Sequence, residues 1–172
     1  MMLSRAEDVD RWIGDLESGA FMLVSPKAII RTMQTSDLES VVQVEQLTNP
    51  HPWSGAQFLS ELENSCSVVD LFCLDNVLAG YLCSWLVVDE LHIQNVATHP
   101  EYRRKGVAAS LLINRLEQAK VSGAVISLLE VRVSNSVAIR LYEQLGYRQT
   151  GLRVAYYSDG EDAVLMACDL IV

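Results

Sequence analysis

Long apolar runs are missing from this chain of 172 residues. No stretch reaches the roughly 18–20 consecutive apolar residues that a membrane-spanning helix needs, which argues against a transmembrane protein. The N-terminus, MMLSRAEDVDRW, also lacks the basic-then-apolar order of a secretory signal peptide. We therefore expect a protein of the cytoplasm.

Cysteine is scarce as well, and its four occurrences lack the spacing of a metal site or a disulfide framework. Cys66, Cys73, Cys83 and Cys168 include no CxxC pair and no cluster with histidine. Three of them lie inside apolar runs. The spacing and context predict buried, reduced thiols and no bound metal.

Positive charge is in deficit, with 13 lysines and arginines against 22 aspartates and glutamates and a net charge of −9. Binding to nucleic acid depends on the neutralisation of phosphates by lysine and arginine, so this balance argues against a nucleic-acid-binding protein. An acidic surface favours encounter with a cationic partner such as a basic protein tail, although mild acidity also serves solubility alone.

Half of the residues are hydrophobic, and the length and composition suit a globular protein with a substantial core. Residues 1–27 are predicted to be an N-terminal extension with an amphipathic helix. Val9, Trp12, Ile13 and Leu16 share one face of that helix. It either docks on its own domain or binds a partner. Residues 28–172 are expected to form the folded domain.

From residue 28 onward, hydrophobic periodicity and turn residues predict the order β-α-α-β-β-β-α-β-α-β-β. Capping boxes that begin at Ser36 and Ser54 mark two helix starts, and Asp75-Asn76 is typical of a tight hairpin. A strand is predicted over residues 148–157. The predicted fold is α/β, of the mixed α+β kind. It has a mostly antiparallel seven-stranded sheet, a central parallel pair and helices on both faces.

The sequence HPEYRRKGVAASLL joins a predicted strand to a predicted helix through a basic cluster and a glycine. Free N–H groups and the positive end of the dipole at such a helix start bind phosphate. Gly106 lets the backbone approach a ligand closely, and Arg103, Arg104 and Lys105 supply charge-assisted contacts to phosphate oxygens. The spacing fits a pyrophosphate site and a solvated basic loop about equally well. No Walker loop is present in the sequence.

Glu130 lies in the middle of SLLEVRVSN, a strand that we expect to be buried on both faces. Alternation places it on the same face as Leu128 and Ile126. A carboxylate on an apolar face needs a partner or a function. Glu130 therefore either forms a salt bridge with Arg132 or serves in acid–base chemistry. Tyr142, in the next predicted helix, either stands beside the strand ends or packs in the core.

Together these motifs resemble those of the GNAT N-acetyltransferases. VATHPEYRRKGVAASLL resembles the acetyl-CoA loop of that family, Q/R-x-x-G-x-G/A. LEVRVSNSVAIRLYEQLGY resembles the matching segment of its ribosomal-protein alanine N-acetyltransferases, the RimI type. HPWS, residues 51–54, resembles the aromatic-proline-tryptophan turn of the same group. The resemblance extends over residues 28–170, and the three motifs in this order are more specific than the loop alone.

The resemblance implies roles for individual residues. Glu130 is implied as the general base and Tyr142 as the general acid. The backbone of the strand before the loop would face pantetheine and the thioester, and the loop would hold the pyrophosphate. The implied cofactor-binding residues are Val96, Ala97, Thr98, Arg103, Arg104, Lys105, Gly106, Val107, Ala108, Ala109 and Asn135. Trp53 and Tyr157 are candidates for substrate binding or are packing residues.

The implied activity is transfer of an acetyl group from acetyl-CoA to the N-terminal alanine of a small-subunit ribosomal protein. Attack would be direct, without an acyl-enzyme. We expect no metal, and neither a nucleic acid nor a membrane as a partner. Two alternatives stay open. One is a small amine or a lysine side chain as the acceptor, and the other is a non-catalytic CoA-binding module. The acidic residues Asp159, Glu161 and Asp162 either receive a basic peptide or form a solvated turn.

Overall fold

The computed structural model describes residues 28–170. Over that range seven strands and four α-helices follow one another in the predicted order, with two short 3-10 helices added at Thr35–Asp37 and Pro100–Tyr102. The amphipathic helix predicted within residues 1–27 lies outside the described range. No helix between residues 28 and 170 has the length and hydropathy to cross a bilayer.

The helices and strands are numbered in chain order. The helices are α1 (Leu38–Thr48), α2 (Gly55–Glu63), α3 (Val107–Val121) and α4 (Ser136–Gln144). The strands are β1 (Ala28–Thr32), β2 (Ser67–Leu74), β3 (Val77–Val87), β4 (Glu90–Thr98), β5 (Ile126–Arg132), β6 (Arg148–Arg153) and β7 (Ala163–Asp169).

The seven strands form one sheet in the order β1-β2-β3-β4-β5-β7-β6. The β4–β5 pair is parallel, whereas the β1–β2, β5–β7 and β6–β7 pairs are antiparallel. The predicted α/β fold with a mostly antiparallel seven-stranded sheet and one parallel pair is confirmed.

Residues 28–83 and 96–112 form one compact unit with its own apolar core. Phe58 of α2 and Tyr81 of β3 meet edge to face, with 5.4 Å between their ring centroids. The core also takes residues from β2 and α1, because these elements turn one apolar face toward each other. Its buried members are Met33, Val41, Val44, Phe58, Val69, Leu71, Cys73, Tyr81, Cys83 and Ala97.

Residues 84–95 and 113–170 form a second compact unit, in which β5 is a central strand. β5 pairs with β4 on one side and with β7 on the other. Ser127, Leu129 and Val131 are buried, whereas the alternate positions of the strand are half-buried or exposed. The expectation that β5 is buried on both faces is wrong, because only one of its faces packs into the core.

The first helix begins differently from the prediction. A 3-10 turn precedes α1, and the carboxylate of Asp37 accepts a hydrogen bond from the N–H of Gln34 at 2.8 Å. The same carboxylate accepts two hydrogen bonds from the Arg31 guanidinium, each at 2.7 Å. The capping box predicted at Ser36 is therefore wrong, since a charged side chain replaces the hydroxyl. The box that begins at Ser54 is confirmed.

Two turns are informative. Asp75 and Asn76 form the predicted hairpin turn, with φ values of 49° and 66°. β6 ends at Arg153, four residues before its predicted end. The N–H of Ala155 instead donates to the Asp162 carboxylate at 2.8 Å, and its φ of 51° takes the chain out of the extended conformation.

The cysteine prediction is correct for three of the four residues. Cys73, Cys83 and Cys168 are buried free thiols, as predicted from their apolar surroundings. Cys66 is also free but is exposed, since it lies between α2 and β2 and outside any apolar run.

Candidate functional site

The turn between β4 and α3 has backbone geometry suited to an anion. Arg104 and Gly106 have φ values of 63° and 77°, in the left-handed region. Residues in that conformation turn successive N–H groups toward one point, which forms an anion-binding concavity. The helix α3 begins directly afterwards, at Val107, and the amides of its first turn have no acceptor within the helix. The turn therefore offers several N–H donors and the positive end of a helix dipole together.

The three basic residues of this turn are exposed. The ammonium group of Lys105 lies 5.1 Å from the centroid of the Tyr102 ring, within cation–π range. Across the described residues, Arg103 and Arg104 form no ion pair. Guanidinium groups form charge-assisted hydrogen bonds with phosphate oxygens, and the predicted role of these two stays a prediction.

Gly80, which sequence analysis missed, brings β3 against the strand that leads into this turn. A Cβ atom on Gly80 would lie 2.6 Å from the carbonyl oxygen of Ala97 and 2.7 Å from Cγ1 of Val107. The N–H of His99 donates to the carbonyl of Ala79 at 2.9 Å, which ties the end of β4 to β3. Only glycine permits this close approach. The signal in the sequence was a glycine inside the apolar run VLAGYLC.

The other predicted cofactor residues of this unit are buried or half-buried. Ala97, Val107 and Ala109 are buried at 6%, 2% and 7% exposure. Val96 and Thr98, on either side of Ala97, are half-buried, as is Ala108. Their predicted contacts with acetyl-CoA stay predictions.

A buried carboxylate holds the HPWS turn from the inside. Glu45 of α1 is fully buried. Its Oε1 atom accepts hydrogen bonds from the N–H of Trp53 at 2.9 Å and from the side-chain amide of Asn49 at 3.0 Å. Its Oε2 atom accepts one from the Tyr81 hydroxyl at 2.5 Å. The half-buried Trp53 ring packs on Phe58 at a centroid distance of 5.5 Å, and its predicted substrate contact stays a prediction.

Glu130, on β5 in the second unit, pairs with Arg153 of β6. The distance from its Oε1 atom to the nearer guanidinium nitrogen is 3.0 Å. Both side chains are partly open to solvent, at 34% and 52% exposure. The alternative salt bridge with Arg132 is wrong, because Arg132 is held by other partners. Glu130 is thus a partly exposed carboxylate, and within residues 28–170 Arg153 is its one cationic partner.

Arg132 organises the turn that follows β6. Its guanidinium forms ion pairs with Asp159 at 2.9 Å and with Glu161 at 2.7 Å, and it lies 3.9 Å from the centroid of the Tyr157 ring. Hydrogen bonds from Ser134 and Arg132 lower the pKa of Glu161. The carboxylates of this turn are therefore engaged within the chain.

Tyr142 of α4 is buried, and its ring centroid lies 5.7 Å from that of Tyr147. Burial raises the pKa of Tyr142 to about 12, and the nearby Tyr157 adds to the rise. The phenol therefore keeps its proton at neutral pH. Among residues 28–170 its hydroxyl forms no hydrogen bond.

Tyr157 connects these acid–base groups. Burial raises its pKa, Arg132 opposes the rise, and the negative charge of Glu130 is among the influences that add to it. Tyr157 in turn raises the pKa of Tyr142. Charge interactions of this kind weaken with distance. Tyr157 therefore interacts electrostatically with Glu130 of β5 and with Tyr142 of α4.

Asn135 is the N-cap of α4. Its side-chain oxygen accepts a hydrogen bond from the N–H of Ala138 at 3.1 Å. Only the side-chain oxygen of Asn135 takes part in this cap, and the Asn135 side chain is exposed. The predicted contact of Asn135 with the cofactor stays a prediction.

Comparison with known proteins gives a consistent result. Residues 31–147 match the Acetyltransferase (GNAT) family. The chain is 38% identical, over 142 residues, to a Bacillus subtilis (strain 168) protein named as a candidate ribosomal protein bS18-alanine N-acetyltransferase, covering 81% of this chain and 94% of the relative. It is 34% identical, over 141 residues, to the ribosomal protein bS18-alanine N-acetyltransferase of Escherichia coli (strain K12), covering 80% and 95%.

A solved structure agrees with these relatives. The crystal structure of the ribosomal-protein-S18-alanine N-acetyltransferase from Escherichia coli superposes with a TM-score of 0.79 at 32% sequence identity. The superposition covers 84% of this chain and 95% of that one. Sequence and fold are therefore similar to the same group of proteins over most of their length.

Proposed function

The chain belongs to the GNAT family of acetyltransferases, and from that premise we propose that it acetylates the α-amino group of a protein N-terminus. It is an acetyl-CoA-dependent N-acetyltransferase. The proposed acceptor is the N-terminal alanine of a small-subunit ribosomal protein of the bS18 type, in the cytoplasm. Support comes from the acceptor named for relatives at 34% and 38% identity. Residues 28–172 are proposed as the acetyltransferase domain and residues 1–27 as its extension.

The turn between β4 and α3 fits the pyrophosphate of acetyl-CoA. Its left-handed residues and the first turn of α3 offer N–H groups, and Gly80 keeps β3 close without a side chain in the way. Bound acetyl-CoA would supply an acetyl group activated as a thioester. The residues proposed to hold it are Val96, Ala97, Thr98, Arg103, Arg104, Lys105, Gly106, Val107, Ala108, Ala109 and Asn135.

Glu130 is proposed as the general base. An α-amino group has a pKa of about 7.7–8.0, so much of it is protonated at neutral pH and cannot attack. An accessible carboxylate can take that proton directly or through a water molecule. The exposure of Glu130 on the open face of β5 supports this role.

Tyr142 is proposed as the general acid. Its pKa of about 12 means that it carries its proton throughout the neutral range, so it is a donor and not a base. Full transfer to a thiolate with the pKa of a cysteine, about 8.5, would be uphill. Its contribution is therefore expected to be a hydrogen bond to the leaving sulfur. Full transfer of the phenol proton becomes favourable only if burial also raises the pKa of the CoA thiol.

Two charge interactions support the proposed chemistry, because Tyr157 interacts both with the proposed base and with the proposed acid. Glu130 comes from β5, Tyr142 from α4 and Tyr157 from the turn after β6, with Arg132 holding that turn in place. A module that only bound CoA would have no use for an accessible carboxylate and a protonated phenol as an acid–base pair.

Mass spectrometry of three acceptors tests the proposal. The purified full-length protein would be incubated with acetyl-CoA and one of three compounds: a basic peptide that begins with alanine, its N-blocked twin containing lysine, and a polyamine. We expect a gain of one acetyl group on the free alanine terminus alone. Acetylation of the blocked twin or of the polyamine instead would establish the lysine or small-amine alternative. Binding of acetyl-CoA without transfer to any acceptor would favour the binding module.

A further inference from the structure

We propose that Arg153 is an internal counter-ion of Glu130, which the charged α-amino group of the acceptor displaces and the neutral acetylated product does not. The inference rests on the proposed function, in which Glu130 receives a proton from the acceptor amine. It assigns to Arg153 a role in selecting a cationic acceptor and in releasing an uncharged product.

The contact between these two residues crosses a strand. In the sheet β7 lies between β5 and β6, and Glu130 is opposite Leu165 while Arg153 is opposite Ala163. Neighbouring strands lie about 4.8 Å apart, so the arginine side chain extends over β7 to reach the carboxylate at 3.0 Å. β5 and β6 do not pair with each other, so the contact is made by the two side chains.

This ion pair is easily opened. Arg153 and Glu130 are 52% and 34% exposed, and pairs this open to solvent change an equilibrium constant by only about one- to fivefold. Arg153 also has a second partner, because its guanidinium lies 5.4 Å from the centroid of the Tyr156 ring. When it leaves Glu130, the cation can stay over that aromatic face.

The charges explain why an acceptor would replace Arg153 and a product would not. A guanidinium stays protonated at any working pH, so Arg153 forms an ion pair with Glu130 but cannot donate a proton to it. The α-ammonium of the acceptor carries the same charge and can take the same place. Acetylation turns this nitrogen into a neutral amide, which no longer competes for a carboxylate. Once the proton of Glu130 has passed to solvent, Arg153 can pair with it again.

Substitution of Arg153 by glutamine tests the inference through binding. Isothermal titration in the presence of CoA, which carries no acetyl group, would compare an alanine-start peptide with its N-acetylated twin. Without the competing cation, the Kd of the free-amine peptide is expected to fall by about two- to fivefold. The Kd of the acetylated twin should not change. Arg153→Lys keeps the charge and should bind both peptides as the wild type does.

The chain offers a matched control on the same strand. Arg148 also forms an exposed ion pair, with Asp169 of β7 at 2.8 Å. Arg148→Gln should leave both Kd values unchanged. In a Glu130→Gln background, the Arg153→Gln change should no longer tighten binding of the free-amine peptide. The carboxylate for which Arg153 and the peptide ammonium compete is then absent.

Two results would overturn the inference. One is an unchanged or weaker affinity of Arg153→Gln for the free-amine peptide, with a thermal melt like that of the wild type. The other is an equal gain for both peptides, which would make Arg153 a steric obstacle and not a counter-ion. If the wild type still acetylates the peptide in either case, the proposed function stands. Absence of acetylation by the wild type would instead contradict the proposed function.

Discussion

The guanidinium of Arg132 lies 3.9 Å from the centroid of the Tyr157 ring and is paired with Asp159 and Glu161 at the far side of the same turn. One side chain of β5 therefore holds the turn after β6 at several points. Arg132 is two residues from Glu130. The position of the Tyr157 ring consequently depends on this contact.

Arg132→Met should loosen this turn and weaken acceptor binding. The loss of two partly exposed ion pairs and a cation–π contact is expected to raise the KM of an alanine-start peptide by about five- to tenfold, or about 1–1.4 kcal/mol. The KM of acetyl-CoA should not change. Steady-state kinetics with each substrate varied would check this, with Arg148→Met as the control. An equal rise in both KM values would contradict a role confined to the acceptor.

Gly80→Ala should disturb the end of β4 and the start of α3. The added Cβ would meet the Ala97 carbonyl and Val107 at less than 3 Å, so the backbone must shift. Overpacking of this kind costs about 1–3 kcal/mol, and we expect weaker acetyl-CoA binding as well as a lower unfolding free energy. Urea denaturation and titration with acetyl-CoA would measure both.

Gly55→Ala is the matched control for that change. A Cβ on Gly55, the first residue of α2, would make only ordinary contacts at 3.8 Å with Leu38 and Val42. Its stability should equal or exceed that of the wild type, since alanine favours a helix more than glycine does. If Gly80→Ala behaved in the same way, the close approach at β3 would have no energetic importance.

Val88→Asn should stabilise the protein. Val88 lies in the turn between β3 and β4 with a φ of 56° and an exposure of 90%, so a β-branched residue adopts a left-handed conformation without burying its side chain. Asparagine tolerates that conformation better, and a gain of about 0.5–1 kcal/mol is expected. Thermal melts would compare it with Val121→Asn, an equally exposed position at the end of α3. A gain in both variants would contradict the explanation by backbone strain.

Alkaline pH should destabilise the protein through its buried phenols. Burial raises the pKa of Tyr81, Tyr142 and Tyr147 in the folded chain, that of Tyr142 to about 12. In the unfolded chain tyrosine ionises near pH 10. Above that pH the unfolded state releases protons that the folded state keeps, so the free energy of unfolding decreases as pH rises from about 10 to about 12. Circular dichroism melts would show this, and Tyr142→Phe should make the decrease shallower.

Much of the fold follows from local pattern. Alternation and turn residues predict seven strands, and the Asp75-Asn76 hairpin and the Ser54 cap appear where the local chemistry places them. The prediction of a capping box at Ser36 was wrong because Arg31, which lies outside that four-residue motif, holds Asp37. The predicted length of β6 was wrong because the N–H of Ala155 donates a hydrogen bond to the carboxylate of Asp162, seven residues away.

The candidate site was only partly predictable for the same reason. The basic glycine turn is one continuous segment, so its residues could be read directly from the sequence. The partners of Glu130 could not, because Arg153 reaches it across β7 and no spacing in the sequence marks that contact. Glu45 was missed as well, since the HPWS turn and β3 donate hydrogen bonds to it only after these elements pack together.

The rate of acetyl transfer to an alanine-start peptide by Glu130→Gln, followed by mass spectrometry at saturating acetyl-CoA, tests the central claim most directly. Removal of a general base is expected to lower kcat by about 10²- to 10⁴-fold. The affinity for acetyl-CoA should stay that of the wild type, because the turn between β4 and α3 is untouched. A Glu130→Gln variant that transfers acetyl within about threefold of the wild-type rate would contradict the assignment of Glu130 as the base.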